Sequence, residues 1–317
     1  MTAGFTTHLY RGAEDCAAAL AIVRGRTPRR RLDYPNQGDL QELLGTTNVQ
    51  QVTRLWTAES GQPAGYALIN RGADYCALVF EYAEAFAGSG LGQEMIAWGE
   101  QVFREQYNGS APDLMSTTVE DNLERVRLLE ETGFLRDPDC VVYMERPLDA
   151  PIETPCLAEG FTIRGTRSDE SPAWVELHQA AFGTQNMTLE YRQAMTSLAD
   201  YDPSLDLVAE SADGTLAAYV YCYLNKEENA RSGRNIGYTD PVATHPRYRR
   251  LGLSRALLLT GLRLLRERGM ETAHLSTGSD NIAMQKAAQS AGFQIVGRSW
   301  VYAKALEKQT PSSQPGD

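Results

Sequence analysis

This chain is best understood from residues 241–258, which read Pro241-Val242-Ala243-Thr244-His245-Pro246-Arg247-Tyr248-Arg249-Arg250-Leu251-Gly252-Leu253-Ser254-Arg255-Ala256-Leu257-Leu258. The short apolar run near its start predicts a strand, and turn-prone residues follow. From Leu253 the apolar residues recur at helical spacing until Gly269, where we expect the helix to end. The sequence therefore predicts a strand, a basic turn and a long helix, with chemistry at their junction.

The turn has the composition of an anion site. The first backbone N–H groups of a helix have no partner within it, and they lie at the positive end of the helix dipole. Gly252 and Ser254 leave room for a phosphate to approach the backbone, and Arg249, Arg250 and Arg255 add positive charge. We expect the ligand to be a pyrophosphate. The plain alternative is a basic, solvated start of a helix.

Residues on both sides of the turn make the pattern more specific. The motif Arg249-x-x-Gly252-x-Ser254 follows a strand with a Val-x-x-x-Pro turn, and Asn281 and Gly292-Phe293 come later. This combination resembles the acetyl-coenzyme A (acetyl-CoA) site of the GCN5-related N-acetyltransferases (GNAT). The resemblance implies that the strand before the turn splays from its neighbour at a bulge, where the pantetheine arm of the coenzyme adds itself as a pseudo-strand.

The resemblance also implies a set of coenzyme contacts. They are Val242, Ala243 and Thr244 for the pantetheine arm; Arg249, Arg250, Leu251, Gly252, Leu253, Ser254 and Arg255 for the pyrophosphate; and Asn281 for the arm near the following helix.

Composition limits the classes of protein and partner. The 317 residues suffice for two domains, and 42% hydrophobic residues supply packed cores. A net charge of -11 argues against nucleic-acid and membrane partners. No export signal or spanning segment is seen, so we expect a cytoplasmic protein, as a monomer or homodimer. The five cysteines are scattered and histidines number only four, which predicts free thiols and no metal site.

The first half of the chain resembles a worn copy of the second. Matching residues lie 153 to 162 positions apart: Arg11 and Arg164, Tyr66 and Tyr219, Asn122 and Asn281, Phe134 and Phe293, Gly90 and Gly252. The drift in spacing fits an insertion of about nine residues in the second half. The polar run 225–235 is the expected place for it, as a hairpin loop.

We therefore predict two tandem domains, a degenerate one at 1–148 and a catalytic one at 161–306. A proline-spaced linker at 149–160 joins them, and a disordered tail follows at 307–317. The order of strands and helices gives an α+β, α/β layered fold, in which each copy is a mixed, mostly antiparallel sheet flanked by helices. By resemblance, each copy is an acyl-CoA N-acyltransferase (GNAT) fold, and the tandem layout is similar to the mycothiol-synthase-like members of the superfamily.

The two halves differ at the basic turn. Where the second half has Arg249, the first has Ala87, and the loop Gly88-Ser89-Gly90-Leu91-Gly92 keeps glycines without cations. A dinucleotide fingerprint would need glycine at position 93, which is Gln93. We expect the first half to be a structural platform; a second, weak coenzyme site is the alternative.

Transfer of an acyl group to an amine needs a base. Asp240 stands just before the pantetheine residues, and the resembled family often has an acidic residue there, so Asp240 is the predicted catalytic base. Burial would have to raise its pKa for that role. Alternatively it only caps the turn before Pro241. His245 is a weaker candidate, because its position between Thr244 and Pro246 indicates a turn residue.

The general acid is where the sequence departs from the resembled pattern. Many members of that family have a tyrosine seven residues after the helix-starting Asn, but this chain has Ala288 there and Leu129 in the first half. Tyr302 is the predicted catalytic replacement, with Tyr238 as a second candidate and water as a further alternative.

The sequence thus predicts an acetyl-CoA-dependent N-acetyltransferase that acts on a small amine by direct transfer, with its site in the second half. The co-substrate is acetyl-CoA, and no metal is involved. The alternative is a non-catalytic acyl-CoA-binding or scaffold protein, because Ala288 and Leu129 lack a hydroxyl. Trp174, His178 and Tyr191 either line the acceptor pocket or pack a helix pair.

Overall fold

The computed structural model describes residues 4–26, 32–72, 75–106 and 113–306. It divides into two compact units. One unit consists of Met1–Pro138 together with Trp300–Asp317, and the other consists of Asp139–Ser299. The tail predicted at 307–317 lies outside the described residues.

Both halves of the chain repeat one order of elements, apart from α3 (Thr47–Gln50) in the first half and α8 (Lys226–Ser232) in the second. In the first half they are β1 (Phe5–Leu9), α1 (Ala13–Arg24), α2 (Gln37–Leu44), α3 (Thr47–Gln50), β2 (Thr53–Ala58), β3 (Pro63–Arg71), β4 (Cys76–Tyr82), α4 (Leu91–Gln106), β5 (Leu114–Val119), α5 (Leu123–Glu131) and β6 (Leu135–Pro147). In the second half they are β7 (Phe161–Gly165), α6 (Ser171–Phe182), α7 (Leu189–Thr196), β8 (Asp206–Ser211), β9 (Leu216–Leu224), α8 (Lys226–Ser232), β10 (Ile236–Thr244), α9 (Leu253–Glu267), β11 (Thr272–Gly278), α10 (Ile282–Ser290) and β12 (Gln294–Lys304).

Each unit is built on a mixed, mostly antiparallel sheet flanked by helices, so the predicted α+β fold class is confirmed. In the second unit the strand order is β6-β11-β10-β9-β8-β7, and only β10 and β11 are parallel. In the first unit β1 to β5 follow one another, with β4 and β5 parallel, and the part of β12 that belongs to this unit comes next.

The last strand of each half is divided between the two units, and its final part belongs to the unit of the other half. We call this the exchange of the closing strands. Residues 141–147 of β6 pair with β11 from Thr272↔Pro147 to Gly278↔Val141, inside the second unit. Trp300–Asp317 belongs to the first unit, where Tyr302 is buried in the hydrophobic core. The unit boundaries at 138 and 299 therefore differ from the domain boundaries predicted at 148 and 161.

The segment predicted as a linker is packed within the second unit. The backbone N–H of Leu148 donates to the carbonyl of Glu271 (2.8 Å), and Ile152 is buried. Arg255 of α9 forms an ion pair with Glu153 (2.7 Å). Residues 149–160 thus form part of the structure of that unit.

Helix α9 forms as its apolar periodicity predicts. One face carries five leucines that are buried almost completely, namely Leu253, Leu257, Leu258, Leu262 and Leu265. This face packs on the sheet at Gly237, where a Cβ would come within 3 Å of the Leu265 side chain. After the helix, Gly269 has a φ of +82°, which only glycine adopts easily. The predicted end of the helix is confirmed.

The polar run 225–235 is not the hairpin loop that was predicted. It contains α8, which Asn225 caps by accepting a hydrogen bond from the N–H of Glu228 (2.8 Å). Gly233 ends this helix in the left-handed conformation. The buried Asn229 exchanges two hydrogen bonds with the backbone of Ile236. These local caps stabilise a helix that hydrophobic periodicity alone does not reveal.

Candidate functional site

Strand β10 separates from its parallel neighbour halfway along its length. It pairs with β11 only over Ile236–Tyr238, although both strands continue beyond that point. Its register with β9 shifts between Thr239 and Val242, which is a β-bulge. Beyond the bulge, Val242–Thr244 still pair with β9, so their other edge faces the gap opened toward β11. The structure thus shows the splay that the resemblance implies, at the predicted pantetheine residues.

The bulge places Asp240 at the start of this gap. Ser276 of β11 donates two hydrogen bonds to Oδ2 of Asp240, from its backbone N–H (3.1 Å) and from its hydroxyl (2.5 Å). Within the described part of the chain, Oδ1 is buried and has no hydrogen-bond partner. Burial raises the pKa of Asp240 above its ordinary value, against the opposing effects of His274 and Ser276. The pKa of this carboxylate is therefore shifted in the direction that a general base requires.

The turn between β10 and α9 is open to an anion. Arg250 and Gly252 both have a positive φ, +67° and +75°, and this conformation is unusual for an arginine. Among the described residues no side chain caps the N-terminus of α9, because Gly252 stands at the N-cap position. The position of a Cβ on Gly252 has no atom within 4 Å. Free amides beside open space fit a pyrophosphate.

The other predicted pyrophosphate residues have distinct positions. The hydroxyls of Thr244 and Ser254 are 2.8 Å apart, which ties the end of β10 to the first turn of α9. Arg249 donates to the carbonyl of Ala181 (3.0 Å), and Arg255 pairs with Glu153, as described above. Leu251 is exposed at the tip of the turn, while Leu253 is buried under it. The backbone of the turn, rather than Arg249 or Arg255, faces open space.

Asn281 has a local structural role at the start of α10. It is the N-cap of α10, and its side chain accepts a hydrogen bond from the N–H of Met284 (3.1 Å). Asn122 caps α5 of the first unit in the same way, by accepting from the N–H of Arg125. The shared cap explains why Asn recurs in both halves, and a coenzyme contact by Asn281 remains a prediction.

The structure does not bring Tyr302 to this site. Tyr302 is 2% exposed in the core of the first unit, whereas Asp240 belongs to the second. The reason is the exchange of closing strands, which a sequence repeat does not reveal. Ala288 is fully buried and has no hydroxyl. Tyr238 donates to Glu228 (3.2 Å) and is 8% exposed. The structure therefore identifies none of these three residues as the general acid.

Residues of β11 and β6 complete the surroundings of Asp240, and sequence reasoning missed them. Ser276, His274 and Tyr143 belong to none of the motifs of the sequence analysis, and the register of β6 with β11 brings them together. His274 lies edge-on to Tyr238, with ring centroids 5.4 Å apart. The signal that could have found Ser276 is its place on the strand that follows α9.

The helices α6 and α7 pack on the sheet around a buried ion pair. Arg192 binds Asp206, and its guanidinium lies 4.0 Å from the ring centre of Trp174. His178 and the hydroxyl of Tyr219 are 2.6 Å apart. Burial, helped by Arg192, lowers the pKa of His178 to about 4, so this imidazole is neutral at physiological pH. These contacts pack Trp174 of α6 against α7 and join His178 of α6 to β9. The alternative that these residues line the acceptor pocket stays a prediction.

In the first unit, the start of α4 and the end of β4 correspond to the start of α9 and the end of β10. Side chains of the first unit itself occupy both places. The hydroxyl of Ser89 lies 3.4 Å from the N–H of Leu91 at the start of α4. Tyr82, at the end of β4, donates to Glu124 (3.0 Å). The buried Arg125 covers the ring of Phe80 at 4.0 Å. A cavity of about 360 Å³ remains nearby, lined by residues that include Arg26, Tyr82 and Glu84.

Three further observations concern metals, membranes and thiols. Across residues 4–26, 32–72, 75–106 and 113–306, no group of three His, Cys, Asp or Glu side chains is arranged to hold a metal ion. The helices found in these ranges are too short or too polar to cross a bilayer. All five cysteines are free thiols, and Cys76, Cys140 and Cys222 are buried.

A sheet whose central parallel strands part at a bulge, next to an uncapped helix, defines an acyl-CoA N-acyltransferase fold. Residues 171–293 match the model of the acetyltransferase (GNAT) family. A tandem GNAT protein from the clavulanic acid biosynthesis pathway has a similar structure, with a TM-score of 0.67 and 15% identity over 96% of this chain and 99% of that one.

Curated relatives share part of the sequence. A mycothiol acetyltransferase of Thermobispora bispora is 29% identical over 217 residues, which cover 66% of this chain and 69% of the relative. Another, from Sanguibacter keddieii, is 26% identical over 300 residues, which cover 87% of this chain and 90% of the relative. The family match and these relatives support a GNAT-superfamily protein with a mycothiol-synthase-like tandem architecture and acetyl-CoA-dependent N-acyltransferase activity.

Proposed function

We propose that the second unit transfers an acetyl group from acetyl-CoA directly to the amine of a small acceptor. One observation carries this proposal: the gap between β10 and β11 begins at the partly buried Asp240 and continues along β10 toward the uncapped N-terminus of α9. The gap offers backbone edges to an extended arm, and the turn offers amides to a pyrophosphate.

Different residues along the gap bind the parts of the coenzyme and position its thioester. The turn at 249–255 holds the pyrophosphate, and Val242–Thr244 hold the arm by backbone hydrogen bonds. A backbone N–H near Val242 polarises the thioester carbonyl. Holding both substrates in one orientation supplies much of the rate enhancement.

Asp240 acts as the general base for the amine, through water. Its Oδ2 is fixed by Ser276, while Oδ1 is the oxygen without a partner. A carboxylate whose pKa is raised is a stronger base than an ordinary aspartate, so proton transfer from the attacking amine is easier.

Water protonates the departing thiolate. Ala288 has no hydroxyl, and Tyr302 belongs to the other unit. A thiol has an ordinary pKa of about 8.5, so the thiolate leaves without strong help from an acid. The missing tyrosine is therefore compatible with turnover. The alternative of a non-catalytic acyl-CoA binder finds no support in the family match or in the relatives.

The first unit serves as a platform and does not bind the coenzyme at the equivalent place. The contacts of Ser89 with Leu91 and of Tyr82 with Glu124 support this assignment, because they occupy the helix start and the end of β4. The loop around them also lacks the arginines of the second unit.

The test is an assay of free thiol release from acetyl-CoA with a panel of small amines, with the product identified by mass. The acceptor of the mycothiol acetyltransferases belongs in the panel, and so do cationic amines, because the net charge of -11 favours their approach. We expect one thiol released per acetylated amine. Tight binding of acetyl-CoA without thiol release for any amine would contradict the proposal.

A further inference from the structure

The exchanged strand brings a tyrosine from the first half of the sequence to the second unit. Tyr143 and Tyr302 lie 159 positions apart, the same spacing as Asn122 and Asn281. They therefore occupy equivalent places on the closing strands. Because these strands are exchanged, Tyr143 belongs to the unit that contains Asp240, and Tyr302 does not.

Tyr143 lies directly opposite the residue that binds Asp240. The register of β6 and β11 pairs Tyr143 with Ser276 and Glu145 with His274. Residues paired across antiparallel strands point to the same face of the sheet, with their Cβ atoms about 5 Å apart. The side chains of Tyr143 and Ser276 are thus neighbours on the face where Ser276 bonds to the Asp240 carboxylate.

This neighbourhood is buried and aromatic. Tyr143 is 7% exposed and His274 is 6% exposed. Their ring centroids are 5.7 Å apart. His274 on β11 and Cys222 on β9 interact electrostatically with Asp240. The further titratable groups are Tyr143 and Glu145 of β6, which lie opposite Ser276 and His274, and Tyr238 of β10, which lies edge-on to His274. Tyr143 supplies a large buried ring on the β6 side of Ser276.

We propose that Tyr143 is a positioning residue of the acetyl-transfer site, where its ring holds Ser276 in place and keeps water from the side of Asp240 that faces β11. The inference rests on the proposed function, in which Asp240 is the base. Tyr143 acts through Ser276 and His274, and it does not touch the substrates. The site of the second unit thus depends on a side chain encoded in the first half.

Tyr143 acts by limiting the solvation of the Asp240 carboxylate. A carboxylate shielded from water holds its proton more strongly, so shielding makes Asp240 a better base. Removal of the ring admits water beside Ser276. The pKa of Asp240 then falls toward its ordinary value, and proton transfer from the amine slows. The coenzyme contacts lie beyond the bulge and stay as they are.

The experiment compares full-length variants in the acetyl-transfer assay over a range of pH. Tyr143→Ala is expected to lower kcat about tenfold, to leave KM for acetyl-CoA unchanged, and to move the acid limb of the kcat profile to lower pH. Tyr143→Phe keeps the ring and is expected to retain both the rate and the profile. Tyr302→Ala, at the equivalent place in the first unit, is the matched control and should leave the acid limb where it is.

Each result supports or refutes the positioning role of Tyr143. A wild-type rate and profile for Tyr143→Ala would overturn the inference, and so would a Tyr143→Phe variant as impaired as Tyr143→Ala. If thermal unfolding shows that Tyr143→Ala does not fold, Tyr143→Leu replaces it, and we expect a smaller shift of the acid limb in the same direction.

Asp240→Asn is measured in parallel. Full activity of that variant refutes the base and the positioning role together, whereas an inactive Asp240→Asn beside an unchanged Tyr143→Ala refutes only the role of Tyr143.

Discussion

Asp240 illustrates how local contacts set the chemistry of one residue. Ser276 binds one of its oxygens twice, and the other oxygen is buried without a partner among the described residues. An unpartnered buried carboxylate oxygen is energetically unfavourable when charged. The fold therefore holds this residue in a state that costs stability and favours proton uptake.

At this scale we predict a loss of rate from Asp240→Asn. Asparagine keeps the shape and accepts the bonds from Ser276, but it cannot take a proton. We expect kcat to fall by about 100-fold or more, with KM for acetyl-CoA unchanged. Steady-state kinetics at saturating acceptor measure both values. Equal kcat for variant and wild type would remove Asp240 from the mechanism.

The same substitution should raise stability at neutral pH. The pKa of Asp240 is higher in the folded state than its ordinary value of 3.8 in the unfolded chain. The folded state then binds the proton more tightly, so stability present below pH 3.8 is lost as the pH rises through the folded pKa. Asp240→Asn does not ionise and avoids this loss. Thermal unfolding at pH 7 should show a higher Tm for the variant, and the difference should vanish near pH 3; a lower Tm at pH 7 would contradict it.

At the scale of elements, the start of α9 is the proposed binding site for the pyrophosphate of the coenzyme. We expect Gly252→Asp to weaken acetyl-CoA binding at least about tenfold, because a carboxylate at the N-cap occupies the amides and repels the pyrophosphate. Aspartate tolerates the positive φ of this position better than most residues do. Calorimetric titration measures the dissociation constant.

The control for this prediction is the same change in the other half. Gly90 matches Gly252 in the repeat, has a φ of +89° and also has open space around a Cβ. Gly90→Asp should leave the affinity for acetyl-CoA unchanged. Equal weakening by both variants would place the coenzyme elsewhere or in both units.

The packing of α7 on the sheet depends on a buried ion pair. Arg192 and Asp206 are 2% and 0% exposed, and Tyr201 also donates to Asp206 (2.9 Å). Arg192→Met should lower the free energy of unfolding by about 3–5 kcal/mol, because Asp206 is left as a buried, uncompensated charge. Denaturant titration measures this loss.

Two further variants test the cause of that loss. In the double variant Arg192→Met, Asp206→Leu, no unpaired charge remains, so most of the stability should return. Lys226→Ala removes an exposed ion pair with Asp200 and should change stability by less than about 1 kcal/mol. A double variant as unstable as Arg192→Met would show that lost packing, rather than charge, is responsible.

For the whole molecule, the exchanged strands decide which fragments fold. A fragment of residues 149–306 lacks β6, so β11 has an unpaired edge, and it carries the end of β12, which belongs to the other unit. A fragment of residues 135–299 contains the whole second unit. We expect the second fragment to unfold cooperatively and to bind acetyl-CoA, and the first to aggregate.

Circular dichroism, gel filtration and calorimetry distinguish these outcomes. A soluble, cooperatively folded 149–306 fragment with normal affinity for acetyl-CoA would show that β6 is dispensable for the second unit.

Much of the fold and of the coenzyme side of the site followed from local pattern. The spacing of the leucines predicted α9, and Gly269 predicted where this helix ends. The repeat predicted that the two halves share most of their order of elements. The opening of β10 beside Asp240 followed from the resemblance carried by the turn motif. Helix α8 was missed because side-chain caps, and not an apolar period, define it.

The sequence by itself determined which segments form strands and helices, because hydrophobic period, glycine and caps act within a few residues of one another. Only the tertiary structure decided which closing strand joins which sheet, because the two strands occupy equivalent places in the repeat and either can complete a sheet edge by the same backbone hydrogen bonds. That choice placed Tyr302 in one core and Tyr143 beside Ser276. The environment of Asp240 follows from it, since burial and long-range strand pairing set a pKa that no local pattern records.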